Sequence, residues 1–530
     1  MNQPFGTTSG ARLAARDRFT VEPRTVVLIT ILAAVALAVF GSLSEVSLGD
    51  ENVHVRHAAA FTTSWHRPAF DPASVFPDGR DRLPCDGTPL WHMGLALLWR
   101  LAGCQCPWLA QAYQAAFYAL LALTVYFGAR RLWDDSAAAW AWLIVVSMPM
   151  ICAYGIVLYQ DVPGVAVSAL GLWLLWRRNF LAAGVALALA YMTKMNMLSF
   201  GPWAAVMALW WADGSWKRRL GAMVTVALPI AAVFAGDLWW RSRVYEYGVM
   251  GPAVFPDISM LTPPAREALS HLPTGFVIWK PFPFYGPVSI ISHLGPLALA
   301  GIVAALWRGW DVASHRLWVG VLFTAFCFYA VFVRLDSTQI RYLLPTILLL
   351  AILGGGALRH LRLPRWLLIV IIAGCAVQVL ATSAYMTRKR DIPSGEREAY
   401  AWIRDNAAPG TRIMFPEEGL TNWTGRRASW GALNPANFTT EMDDSVRKEV
   451  LNFLSVSHIA VPRRRIYDPR AEGIHHGGYP RAFVEHARQA DYLETVFEND
   501  DVVIFRYTQL EPIGPTAPPD ASRRTPGTSG

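Results

Sequence analysis

A chain of 530 residues would ordinarily divide into three or four soluble domains. Its composition excludes that. Hydrophobic residues make up 54% and charged residues only 16%, with 23 Trp and 25 Phe, whereas folded soluble domains carry about 25% charge. The apolar residues arrive in blocks of about 20, the length that crosses a ~30 Å hydrocarbon core. The net charge of +8 does not signal nucleic acid. Arg130 and Arg131, Arg177 and Arg178, 217–219, Arg308 with Arg316, and Arg359, Arg362 and Arg365 all sit in short gaps between apolar blocks. That is the positive-inside pattern, which orients helices. Neither a Gly-rich phosphate loop nor a paired-cysteine zinc pattern occurs.

Residues 1–24 are polar and contain four arginines; they read as a cytoplasmic segment before an uncleaved first span at 25–43. Further spans are predicted at 109–129, 137–154, 162–176, 180–200, 201–212, 218–238, 285–307, 317–333, 341–357 and 366–386. Eleven crossings from an inside N-terminus put every arginine group above on the cytoplasmic side and the C-terminus outside. The apolar stretch 90–102 is thirteen residues long, about 20 Å as a helix and too short to cross. It is expected to lie at the outer membrane surface, with Trp91, His92 and Trp99 at the interface.

Exterior regions follow at 45–108, at 239–284 and at 388–510. The last has ordinary charge and reads as a small α/β domain. It has a helix at 396–407, strands at 412–415 and 458–461, an amphipathic helix at 445–454, and a hairpin of 492–497 with 502–507. Residues 511–530 read as a disordered tail. The fold class is therefore a polytopic α-helical membrane protein of about 11 transmembrane helices, comprising 25–387, with a C-terminal extracytoplasmic α/β domain. Cys152, Cys327 and Cys375 fall inside spans. Cys85, Cys104 and Cys106 share the first exterior loop, where a bridge from Cys85 to Cys104 or Cys106 would restrain 90–102.

Two acids stand at the outer ends of spans close in sequence. Asp50, followed by Glu51, lies just after the first span, and Asp161 opens the fourth. Each has an ordinary reading as a helix-capping acid. Together they form a pair of carboxylates able to deprotonate a hydroxyl and steady a sugar-like cation. A phosphate-bearing donor would need cations, and Lys194, Lys280, Arg334 and Arg341 are placed at the membrane surface to serve. His54 and His57 share a helix face, but no third ligand is evident, so no metal site is assigned and a divalent ion stays open.

The order of short motifs resembles a known family. A first span is followed by Asp50-Glu51, then Thr88-Pro89-Leu90-Trp91, Gly128-Ala129-Arg130-Arg131, Asp161, Thr193-Lys194, and Arg341-Tyr342-Leu343-Leu344-Pro345. This is similar to the polyprenyl-phosphate-sugar-dependent GT-C glycosyltransferases, of the protein O-mannosyltransferase and lipid A aminoarabinose transferase kind. The resemblance covers most of 25–387. It implies direct displacement at an anomeric carbon with inversion, polyprenyl phosphate leaving. It also implies Asp50 as base or acceptor-orienting group, with Glu51 beside it, and Asp161 as the second acid. The implied partners are a polyprenyl-phosphate-sugar donor, an extracytoplasmic glycan, lipid or protein acceptor, and the lipids of a bacterial-type inner membrane, with no required cofactor. Two positions depart from the family: His54 replaces the usual Tyr, and Gly87-Thr88 replaces the usual Lys before the Pro-Leu start. A transporter or flippase is the competing reading, since acids and a lysine near the bilayer also suit ion coupling.

Overall fold

The computed structural model describes residues 18–44, 49–63, 65, 88–244, 261–270, 282–308, 310–330, 340–408, 412–414, 427–428, 442–468 and 478–510. The chain divides into two compact units. The helical one ends at Asp391, and the other begins at Ile392 and takes in 261–270.

Helices stand at every predicted span: Pro23–Ser42, Pro107–Leu132, Asp135–Ser147 with Pro149–Ile156, Asp161–Trp176, Phe180–Thr193, Phe200–Trp211, Trp216–Val244, Phe282–Arg308, Val312–Phe328, Leu344–Leu358 and Arg365–Arg390. Five helices among the described residues are long and apolar enough to cross a membrane, or up to seven if each bent pair is one span. Leu28, Leu32, Val35, Ile369, Val370 and Val377 point outward from the bundle, as side chains facing lipid would.

The predicted span 137–154 is broken rather than straight. Its two helices meet at 54° because Met148, held extended before Pro149 (φ −64°, ψ 120°), cannot continue an α-helix. The break frees carbonyls in an apolar interior, where they must be paired. Tyr118 Oη donates to Val146 O at 2.8 Å, Cys152 Sγ to the same oxygen at 3.3 Å, and Gln378 Nε2 to Ser147 O at 2.5 Å.

The helix Leu90–Ala102 forms as predicted, but its aromatic face is turned into the protein. Trp91, His92 and Trp99 are buried, the two tryptophans in a cluster with Ala58, Ala110 and Leu158, while Leu97 and Leu101 are exposed. The helix ends at Gly103, whose left-handed backbone (φ 69°) a side chain would strain. Gly103 N–H bonds Arg100 O and Cys104 N–H bonds Trp99 O, the paired C-terminal bonds of a Schellman turn. This turn brings Cys104 and Cys106 together with Cα atoms 5.3 Å apart in a disulfide, so neither is left for the bridge expected to Cys85, which lies outside the described residues. Local chain reversal has overridden closure of the longer loop.

The second unit is an α/β sandwich around a five-stranded sheet of order β2-β1-β3-β7-β6. Its strands are β1 (Arg412–Met414), β2 (Arg427–Ala428), β3 (Val456–Pro462), β6 (Leu493–Glu498) and β7 (Val502–Tyr507); β4 (Ile466–Tyr467) and β5 (Tyr479–Pro480) pair separately. All of β3 is buried, as a strand covered on both faces must be. Ala460, Val502 and Ile504 pack with Ala399 and Ile403 of the helix Ser394–Asn406. Alternate residues Ile459, Val461, Val503 and Phe505 pack with Val450 and Leu451 of the helix Asp444–Phe453, and with Phe483. Leu261 and Ala265, beside and within the short helix Pro263–Ser270, join that second core. Part of the 239–284 region, residues 261–270, thus belongs to this unit.

Candidate functional site

Asp161 is the first residue of its helix rather than the cap; Gln160 occupies the cap position. The Asp161 carboxylate is fully buried and takes an ion pair from Lys194, Nζ to Oδ1 2.5 Å. Lys194 reaches it because the preceding helix stops at Thr193 and Lys194 itself is extended, ahead of a 3-10 turn over Met195–Ser199. The two strands of chain approach closely. A Cβ on Gly164 would lie 3.1 Å from Lys194 Cβ, so the small residue three positions after Asp161 is what admits the lysine.

Arg341, in the 3-10 turn Ile340–Leu343, joins the same end of the bundle. Its guanidinium lies over the Tyr159 ring at 4.7 Å and near the Tyr342 ring at 5.4 Å; Lys194 Nζ is 5.2 Å from that second ring. Two cations therefore share one aromatic ring, beside one carboxylate. The turn that carries Tyr159 is held by Gln114, whose Nε2 donates to Tyr154 O (2.7 Å) and Tyr159 O (2.9 Å).

Asp50 opens the helix Gly49–Thr63. Glu51, next to it, is fully buried and bidentate with Arg390: Nη2 to Oε1 is 2.8 Å and Nε to Oε2 is 3.1 Å. Glu51 Oε1 also accepts from Leu158 N–H at 3.0 Å. Leu158 is three residues before Asp161, so this bond holds the start of the Asp50 helix to the Asp161 turn. Arg390 further donates to Gly41 O (2.7 Å) and Ser44 Oγ (3.0 Å).

Behind these groups three imidazoles converge. His54 Nδ1 and His92 Nε2 are 3.0 Å apart, and the His57 and His92 rings meet edge to face at 5.0 Å. Burial, then His92, His57, Lys194 and Arg341, hold the His54 imidazole well below its usual range. Burial takes His92 down to about 3, partly offset by its hydrogen bond to the Thr88 backbone.

The structure thus gathers Asp161, Lys194 and Arg341, places Glu51 in a separate buried pair, and puts Asp50 at the start of the adjoining helix. Lys280 and Arg334 lie outside the described residues. Sequence reasoning passed over Arg390, Tyr159, Tyr342 and His92. Tyr342 stood inside a motif read for its arginine, and Arg390 ends a basic run that looked like an ordinary helix terminus. A cavity of about 400 Å³ elsewhere, lined by Arg18, Trp140, Arg362 and Arg365, is at the opposite end of the helices and contains no acid.

Residues 86–240 match the family described as dolichyl-phosphate-mannose-protein mannosyltransferase. No curated protein matches the chain in sequence. Among solved structures, the Archaeoglobus fulgidus oligosaccharyltransferase in its apo form superposes with a TM-score of 0.55 at 13% identity, over 83% of this chain and 69% of that one. ArnT from Cupriavidus metallidurans, bound to undecaprenyl phosphate, gives 0.54 at 15% identity, over 90% of this chain and 97% of that one. At such identities the likeness is one of fold. The chain has the GT-C glycosyltransferase fold, as the order of its motifs implied.

Proposed function

We propose that this protein is a membrane glycosyltransferase. It moves a sugar from a polyprenyl-phosphate donor to a glycan, lipid or protein acceptor on the extracytoplasmic side, with inversion. The observation that carries this reading is the buried Asp161–Lys194 pair beside Arg341 on the rings of Tyr159 and Tyr342, in a GT-C fold. Carboxylate and cations meet where a headgroup-level phosphate would arrive. The ArnT complex with undecaprenyl phosphate and the match to a dolichyl-phosphate-mannose family support the same donor class.

In the reaction the acceptor oxygen attacks the anomeric carbon, and the bond from that carbon to the phosphate oxygen breaks. The electron pair goes to the phosphate, and the acceptor proton goes to a carboxylate. Asp50 takes that proton. Asp161, held by Lys194, orients the acceptor. Lys194 and Arg341 stabilise the charge developing on the phosphate, and preorganised cations are effective because they need no rearrangement as that charge grows. Lys280 and Arg334 belong to the same phosphate-binding group in this reading. Glu51, with both oxygens engaged by Arg390, positions the Asp50 helix. Eleven crossings, an inside N-terminus and an outside C-terminal domain complete the arrangement.

Transfer from a panel of polyprenyl-phosphate sugars to membrane-extract acceptors tests it. Asp50→Asn and Asp161→Asn are expected to fold and to lose ~10²–10⁴ in rate. Arg341→Ala is expected to raise KM for the donor more than it lowers kcat. Near-normal transfer by both Asn variants overturns the assignment.

A further inference from the structure

We propose that His54, His57 and His92 form a binding site for a first-row transition-metal ion, zinc foremost. Each residue offers one ring nitrogen, and the three nitrogens lie within 4.8 Å of one another. A tetrahedral zinc with Zn–N bonds of about 2.0–2.1 Å holds its ligand nitrogens about 3.4 Å apart. The His54–His92 pair, at 3.0 Å, is already near that spacing. His57 closes the set by a small rotation, since it lies three residues from His54 on one helical face.

The surroundings of His92 suit a ligand. It hydrogen-bonds the Thr88 backbone, and the Gln160 amide that also bonds Thr88 O (2.9 Å) lies 3.3 Å from His92 Nδ1. A metal-bound imidazole characteristically gives its other N–H to a carbonyl, which fixes the ring and leaves the far nitrogen's lone pair for the ion. Here that far nitrogen is Nε2, the one facing His54. The donor set is all imidazole, which selects zinc, cobalt, nickel or copper over magnesium, calcium or manganese. It leaves the fourth position of a tetrahedron to an oxygen ligand.

The site joins the helix Gly49–Thr63, which carries Asp50, to the helix Leu90–Ala102, at the other end of a contact that also includes the Arg100 guanidinium donating to Thr62 O. The His54 ring also meets the Tyr159 ring at 5.7 Å, and Arg341 lies on that same Tyr159. An ion here would set the position of the Asp50 helix against the cations. Metal binding itself does not rest on the transferase reading.

The test uses the full chain in detergent, stripped with chelator and reloaded with Zn²⁺ or Co²⁺. Metal content by mass spectrometry should return roughly one ion per chain, with Mg²⁺ not competing, and the cobalt form should show tetrahedral d–d absorption. His54→Gln and His92→Gln should each weaken zinc binding at least ~10-fold. Because those variants could fail to fold, His54→Cys is the second probe. It should keep the ion and add a thiolate-to-cobalt charge-transfer band. Wild-type protein that is monodisperse yet holds no more zinc or cobalt than the His54→Gln/His92→Gln double variant overturns the site, as does a His54→Cys cobalt form without the new band. These readouts stand whether or not sugar transfer is observed.

Discussion

The pair formed by Glu51 and Arg390 ties together chain segments separated by 339 positions, and it does so with both side chains fully buried. Breaking a buried pair leaves one uncompensated charge, at a cost of about 3–5 kcal/mol, whereas replacing both partners with apolar groups is often close to neutral. Arg390→Met is therefore expected to lower thermal stability in detergent by that order, and Glu51→Leu/Arg390→Met to recover most of the loss. A double variant as unstable as the single one would show that the hydrogen bonds to Gly41, Ser44 and Leu158 matter more than the charges. At this scale Asp161, Lys194 and Arg341 were legible in sequence because a charge at the end of an apolar block stands out. Arg390 was not, since 388–390 is a basic run and any of its members could have been a membrane anchor. His92 was hidden for another reason. Its neighbours Trp91 and Trp99 made an interfacial face plausible, and only the packing of Leu90–Ala102 against Ala58 and Ala110 turns that face inward.

Elements were legible where their periodicity was undisturbed. The hairpin β6–β7 and the helices Ser394–Asn406 and Asp444–Phe453 fall within a few residues of expectation. Interruptions were less visible. The helix stop at Thr193 and the bend at Met148 occur inside apolar runs, where hydropathy does not register a change of direction. Strand β3 also carries a titratable group into the core of its unit. His458 is buried between Trp402 (ring centroids 6.0 Å) and Ser457, whose Oγ is 2.8 Å from Nδ1, and it pairs across the sheet with Arg506. Burial, then Arg506, pushes its imidazole down to about 4, against 6.5 in an unfolded chain. Between those values the unfolded chain binds the proton and the folded one does not. Stability from this residue is therefore full above 6.5 and is lost as pH falls toward 4, by up to about 3 kcal/mol. His458→Phe should flatten that part of the pH dependence when unfolding is followed from pH 7 to 4. An unchanged slope would mean His458 protonates freely in the folded unit.

Across the helical unit, charge separates into two ends. Arg18 with Asp134 (3.8 Å), Arg130 with Asp135 (2.6 Å) and Arg359 with Asp311 (2.8 Å) gather at one. Glu51, Asp161, Lys194, Arg341 and Arg390 gather at the other. The helices Pro23–Ser42, Asp161–Trp176 and Arg365–Arg390 run from one end to the other. Arg130 and Arg359, from two of the arginine groups that sequence assigned to a single side, thus share an end, while Glu51, Asp161, Lys194, Arg341 and Arg390 share the opposite one. We propose that this second end binds a lipid-linked sugar phosphate for displacement. A structure of the full chain with a non-hydrolysable polyprenyl-phosphate-sugar analogue tests it most directly. The phosphate is expected within hydrogen-bonding distance of Lys194 Nζ and the Arg341 guanidinium, with the anomeric carbon open to attack from the side of Asp50 and Asp161. A phosphate seated instead among Arg18, Arg362 and Arg365, or no ordered analogue at donor concentrations that saturate a transferase, would contradict it.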